Sequence, residues 1–268
     1  MDDLSIAMKV NLKDDIVEDW NRPKPLTFDE RLETKLSDSN VLQQIVDYLD
    51  TFSTERQMKV NSGKSSVMKI CKSRTKAFPT EIKIKDSFLE VKKEMKILGV
   101  ILTPNLKWCA NTEHICKKAY KNMWVIRRMK KLGLDTFTLV DYFMKEIRVH
   151  LELAVPVWHS GLTQQLSADI ERVQRVAVSI ILGDYQLHYY QACAMLGLKP
   201  LYIRRLELCE RFAVKTASKS RHSDLFQLEK DGSHYTRSSE DLFREHICRK
   251  KRFYNSPLPF LTRTLNQL

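Results

Sequence analysis

The period of the apolar pattern changes near residue 107 and does not change back, and this switch limits the possible folds more than any other feature. Before it, short runs alternate. Ile82-Lys83-Ile84-Lys85 puts two isoleucines on one face of a strand and two lysines on the other. After it, apolar residues recur every three to four positions, as one face of a helix requires. Ile115, Ala119, Met123, Ile126 and Met129 fall in one narrow arc, and Leu166, Ile170, Val173, Ala177 and Ile180 form another. A chain that segregates its strands from its helices in this way belongs to the α+β class: a small mixed β-sheet followed by a mostly α-helical region.

The remaining punctuation fills in this outline. Leu4 to Val10 is apolar and β-compatible, and residues 21–30, with Pro23 and Pro25, form a connecting loop. Ser39 begins a helix that carries Leu42, Ile45, Val46, Leu49 and Phe52 on one face, and Asn61-Ser62-Gly63-Lys64 is a turn. Strands are expected at Ser66–Cys71, Glu81–Lys85 and Lys96–Leu102, the last closed by Pro104-Asn105. Helices are expected over about 112–131 with Gly133 behind it, over 136–158 with a kink at Pro156, up to Gly183, and over 188–196 and 201–217. Residues 219–240 read as a polar, flexible loop. Arg249-Lys250-Lys251-Arg252, with Pro257 and Pro259 beyond, reads as a basic tail with an extended segment.

Charge has the next strongest pattern. The chain carries 45 Lys and Arg against 33 Asp and Glu, a net charge of +12. Residues 1–70 are net −3, whereas residues 71–131 alone hold 16 basic and 5 acidic side chains. So local an excess favours a polyanionic partner. Six cysteines lie scattered without a CxxC pair. Cys109, His114 and Cys116, or His246 and Cys248, lack the second pair that a zinc site needs. The longest apolar run, Val176 to Leu182, is far too short for a bilayer, and Met1-Asp2-Asp3-Leu4 does not have the form of a signal peptide. The expected setting is a reducing intracellular one, nuclear or cytoplasmic, with no membrane partner.

Three places carry candidate chemistry. Adjacent carboxylates at Asp2 and Asp3, just before a β-compatible run, are hard oxygen ligands of the kind Mg²⁺ takes. Lys64 follows Gly63 in a turn, but Met58 stands where a phosphate-binding loop needs its first glycine. Within the 112–131 helix, Lys117, Lys121, Trp124, Arg128 and Lys131 follow one another at +4, +3, +4 and +3, opposite the apolar arc. Four cations and one aromatic ring in a row, with no acid among them, suit a sugar-phosphate backbone.

Taken in order, several segments resemble the reverse transcriptases of non-LTR, LINE-type (jockey-like) retrotransposons. Asp2-Asp3-Leu4-Ser5 is similar to the aspartate pair of the family's (Phe/Tyr)-x-Asp-Asp box, and Met58 to Met68 to the motif that follows it. Lys96-Ile97-Leu98-Gly99-Val100-Ile101-Leu102-Thr103-Pro104-Asn105-Leu106-Lys107-Trp108 resembles the block YLGVxLDxxLxW, departing at Ile97 and Thr103. His150 to His159 resembles LEYAxPVW, and Glu171-Arg172-Val173-Gln174-Arg175 the next block, IExxQxRA. The resemblance implies the C-terminal part of an RNA-directed DNA polymerase: a partial palm over 1–107, a thumb-like helical domain over 108–183 and a helical C-terminal region with a basic tail over 184–268. It implies that Asp2 and Asp3 hold catalytic Mg²⁺ and that Lys64 lies near the incoming nucleotide as a proton donor. The 112–131 helix would grip the RNA or DNA template–primer duplex. In the family another essential aspartate and the fingers precede the box. The expectation is therefore a truncated enzyme, inactive alone unless a complementing polymerase fragment supplies them, which keeps backbone binding.

Overall fold

The computed structural model describes residues 38–70, 81–219, 225–226 and 243–268. Among these the chain is mostly helical with a few very short strands, which places it in the α+β class. Asp2, Asp3, the Leu4–Val10 run, the 21–30 loop and Cys71 lie outside the described residues, as does most of the 219–240 segment. The chain divides into two compact units, Met1–Leu98 with Leu102–Leu106, and Gly99–Ile101 with Lys107–Leu268.

In the first unit, helix α1 (Asp38–Glu55) is followed by strands β1 (Ser66–Val67), β2 (Lys83–Ile84), β3 (Ser87–Phe88) and β4 (Glu90–Val91), and packs against β2. The alternation at 82–85 is realised: Ile82 and Ile84 are buried with Leu89, and Leu42, Val46, Val60 and Val67 pack on them. Gln43 of α1 lines up with the strand edge as a backbone would. Its Nε2 donates to the Lys83 carbonyl at 2.8 Å, and the Lys83 N–H donates to its Oε1 at 2.9 Å. Two hydrogen bonds to one side chain occupy an edge that would otherwise be open to a foreign strand.

The β structure is smaller and more divided than the sequence suggests. Among the described residues there are three two-stranded ladders, β1 with β4 (parallel), β2 with β3 (antiparallel), and β5 (Met95–Ile97) with β6 (Val100–Leu102). Lys96–Leu102, expected as one strand, is a hairpin. Leu98 and Gly99 take φ of +46° and +87°, and two consecutive positive values make the tight turn that joins twisted strands. The strand at Glu81–Lys85 is cut short by another turn, at Lys85 (φ +54°).

The second unit is built on α2 (Cys109–Lys131) packed along α6 (Gln164–Leu182). Ile115, Ala119, Met123 and Ile126 of α2 meet Ile170, Val173 and Ala177 of α6, all of them buried. The segment expected as one long helix is α3 (Thr136–Tyr142), a π-helical stretch Phe143–Arg148, α4 (Val149–Glu152) and α5 (Val155–Trp158). The break falls at Ala154, where φ is +50°, and not at Pro156. Pro156 is in the first turn of α5, where its missing N–H has no intrahelical partner to lose. Trp158, fully buried, donates its indole N–H to the Leu153 carbonyl at 2.8 Å and holds the corner closed.

α7 (Tyr189–Met195) packs on α6, and α8 (Leu201–Lys219) on α5, α6 and α10. The expected extended tail is two helices, α9 (Lys251–Tyr254) and α10 (Pro257–Leu265). Pro257 and Pro259 belong to the first turn of α10 behind the cap residue Ser256, and Pro259, Leu261 and Thr262 are buried. In sequence, a proline that starts a helix looks like one that prevents it.

Candidate nucleic-acid interface

α2 is helical because its apolar residues return every turn to a covered face, and it ends at a well-formed C-cap. The Leu134 N–H donates to the Met129 carbonyl at 3.2 Å and the Gly133 N–H to the Lys130 carbonyl at 3.0 Å, the paired bonds of a Schellman motif. Arg128, Lys130 and Lys131 occupy the last turn, where cations offset the exposed carbonyl dipoles.

Opposite the covered face, Lys117, Lys121, Trp124, Arg128 and Lys131 are all exposed, along about 21 Å of helix axis. The structure therefore sets the five on one open face of one rigid element. Trp124 stands out at 64% exposure. Lys121, Arg128 and Lys131 have no acid partner among the described residues. Lys117 does have one: its ammonium lies 2.6 Å from Glu113, four residues earlier, and holds that carboxyl below its ordinary pKa. The uncompensated row thus begins at Lys121.

Two neighbours not anticipated from the sequence belong to the same surface. Tyr120, 40% exposed, precedes Trp124 by one turn. Arg172 of α6, with its side chain 62% exposed and its guanidinium 3.5 Å from the Asp169 carboxylate, lies with that acid within electrostatic range of the Tyr120 hydroxyl. Tyr120 and Glu113 were readable from i,i+4 spacing. Arg172 was not, because its place depends on how α6 lies along α2. Lys130 serves the fold instead. Its ammonium donates across to the carbonyls of Ile180 and Ile181, at 2.7 and 2.9 Å, and caps the end of α6.

A second polar cluster lies inside the unit. Glu171 accepts the Leu201 and Tyr202 N–H groups at 2.8 and 3.1 Å, capping α8, and accepts the Tyr189 hydroxyl at 2.5 Å. Buried Gln174 donates to Tyr189 and to the Lys199 carbonyl, and buried Arg205 donates to Ser167 at 2.6 Å. Burial, with the Glu171 bond, pushes the Tyr189 hydroxyl far up, and burial raises the Cys116 and Cys209 thiols to about 11 and 12. These hydrogen bonds tie α6, α7 and α8 together.

Lys64 is exposed at the end of a single 3₁₀ turn (Ser62–Lys64), with its N–H donated to the Asn61 side chain at 3.2 Å. Asp2 and Asp3 lie outside the described residues, so no geometry joins them to Lys64. Among the described residues no group of three or more His, Cys, Asp or Glu side chains is placed to hold a metal ion, and no helix is long and apolar enough to cross a membrane. The oxygen chemistry of the aspartate pair suits Mg²⁺.

Comparison of the chain with protein-family models, with curated proteins and with solved structures finds no match.

Proposed function

We propose that this chain is a nucleic-acid-binding protein of the non-LTR retrotransposon reverse transcriptase type, with α2 as the element that grips the sugar-phosphate backbone independently of sequence. The observation that carries the binding is the open row Lys121, Trp124, Arg128 and Lys131 on the exposed face of α2. The lineage is supported by the order of five sequence blocks, from Asp2-Asp3 to Glu171–Arg175. Polymer synthesis would need a larger set of metal-binding acids held on a rigid sheet. By resemblance this chain contributes Asp2 and Asp3 to such a set, with Mg²⁺ and with Lys64 near the nucleotide. The purified chain accordingly binds RNA or DNA through the sugar-phosphate backbone.

Mobility shifts with RNA and DNA of several unrelated sequences test the binding. The wild-type chain retards all of them to a similar degree. Lys121→Glu with Arg128→Glu and Lys131→Glu strongly weakens the shift, whereas Lys215→Glu, at an exposed position of α8, leaves it intact. A strong preference for one sequence, or an intact shift in the triple variant, contradicts the reading.

A further inference from the structure

We infer that the α2 face is built for a single strand, with Trp124 as a stacking platform for an unpaired base, and not for a duplex; this deepens the backbone-binding reading and rests on it. Three features of the face lead there.

The first is the exposure of the ring. An indole 64% open to solvent in the middle of a cationic row offers its flat face to an apolar partner. A duplex keeps its base faces inside the stack and offers only edges and phosphates. A single strand offers the faces themselves, and every base has one.

The second is the order of charges along the helix. Lys121 stands three residues before Trp124 and Arg128 four residues after it, about 4.5 and 6 Å along the axis. Cation, ring, cation repeats the order of phosphate, base, phosphate in an extended strand. Tyr120, one turn before Trp124 and 40% exposed, offers a second ring about 6 Å away for a neighbouring base.

The third is the straightness of the row. A helix lying in the major groove turns its outward face toward base edges, while the phosphates run along the two walls. Cations on a single line down the middle of that face would miss most of them. A flexible strand can follow the line.

The test compares the full chain binding a fluorescent 20-mer single strand with the same sequence as a duplex, in one buffer, for wild type, Trp124→Ala, Trp124→Phe and Lys121→Glu/Arg128→Glu. The inference expects tighter binding of the single strand. Trp124→Ala weakens it by about fivefold or more, Trp124→Phe restores most of the loss, and duplex affinity stays within about twofold. Because Trp124 is exposed, unchanged melting of the alanine variant shows that only the surface has altered. Equal losses for both ligands, or single-strand affinity that ignores Trp124, overturn the inference while the charge variant still reports backbone binding. If wild type binds neither ligand, the backbone-binding reading falls and takes this one with it.

Discussion

Lys130 and Lys131 are adjacent in sequence and do unrelated work. The first is spent on the carbonyls of Ile180 and Ile181, and the second is exposed on the cationic face. His159 is likewise committed to the fold. Its ring packs edge-on against Phe260, and burial, followed by the Arg205 guanidinium, pushes its pKa down to about 4. A histidine held neutral in the fold titrates near 6.5 once unfolded, so the unfolded state takes up the proton first. The stability it contributes is intact above pH 6.5 and declines as pH falls from there towards 4, by on the order of 3 kcal/mol in all. Thermal melting should follow: wild type loses Tm across this window, and His159→Phe loses distinctly less. A variant with the same pH profile as wild type contradicts this account of His159. Glu171 is a residue-scale prediction of a different kind. Glu171→Ala leaves the first N–H groups of α8 and the Tyr189 hydroxyl without this acceptor, removes a negative charge near the Arg205 guanidinium, and should cost about 3 kcal/mol in denaturant unfolding.

At the scale of elements, much of the helical half could be read directly. The arcs of α2 and α6 are the ones the 3.6-residue spacing picks out, and Gly133 and Gly183 stand where both helices stop. Gly183 combines φ of +78° with a position where a Cβ would lie 2.6 Å from the Lys130 ammonium. Gly183→Ala should therefore strain the backbone and displace the lysine that caps α6, for about 1–2 kcal/mol of stability. Lys130→Met, which removes only the capping ammonium, should lower the melting temperature less than Gly183→Ala; the reverse order would show that the cap, and not the backbone, dominates. What could not be read had local causes. The hairpin at Leu98-Gly99 needs positive φ at a leucine, which propensity argues against, and the corner at Ala154 depends on buried Trp158 reaching the Leu153 carbonyl. The two prolines of α10 fit a helix start as well as an extended segment. Only packing of that helix on α8 decides between them.

For the whole molecule, net charge turns out to be a poor guide until it is sorted by position. Of the row read from the sequence, Lys117 is paired with Glu113, which leaves the uncompensated row shorter by one cation, while Lys130, never in that row, is committed to α6. The blocks that carry the family resemblance divide in a similar way. Leu151, Val155, Trp158 and Gln174 are buried and hold the helical unit together, whereas the exposed α2 row belongs to none of those blocks. The part of the candidate site that was legible is thus the part set by helical spacing. The catalytic acids rest on resemblance alone.

The central claim, that the α2 face binds a nucleic-acid backbone through phosphate contacts, is tested most directly by the salt dependence of affinity. Each contact adds about 0.7 to the steepness of log K against log salt for a single strand and about 0.9 for a duplex. Wild-type chain should show a steep, linear loss of affinity with salt. Replacing Lys121, Arg128 and Lys131 by Glu should flatten the slope by about two units or more. An unchanged slope in that variant would contradict the claim and place the binding, if any, elsewhere on the chain.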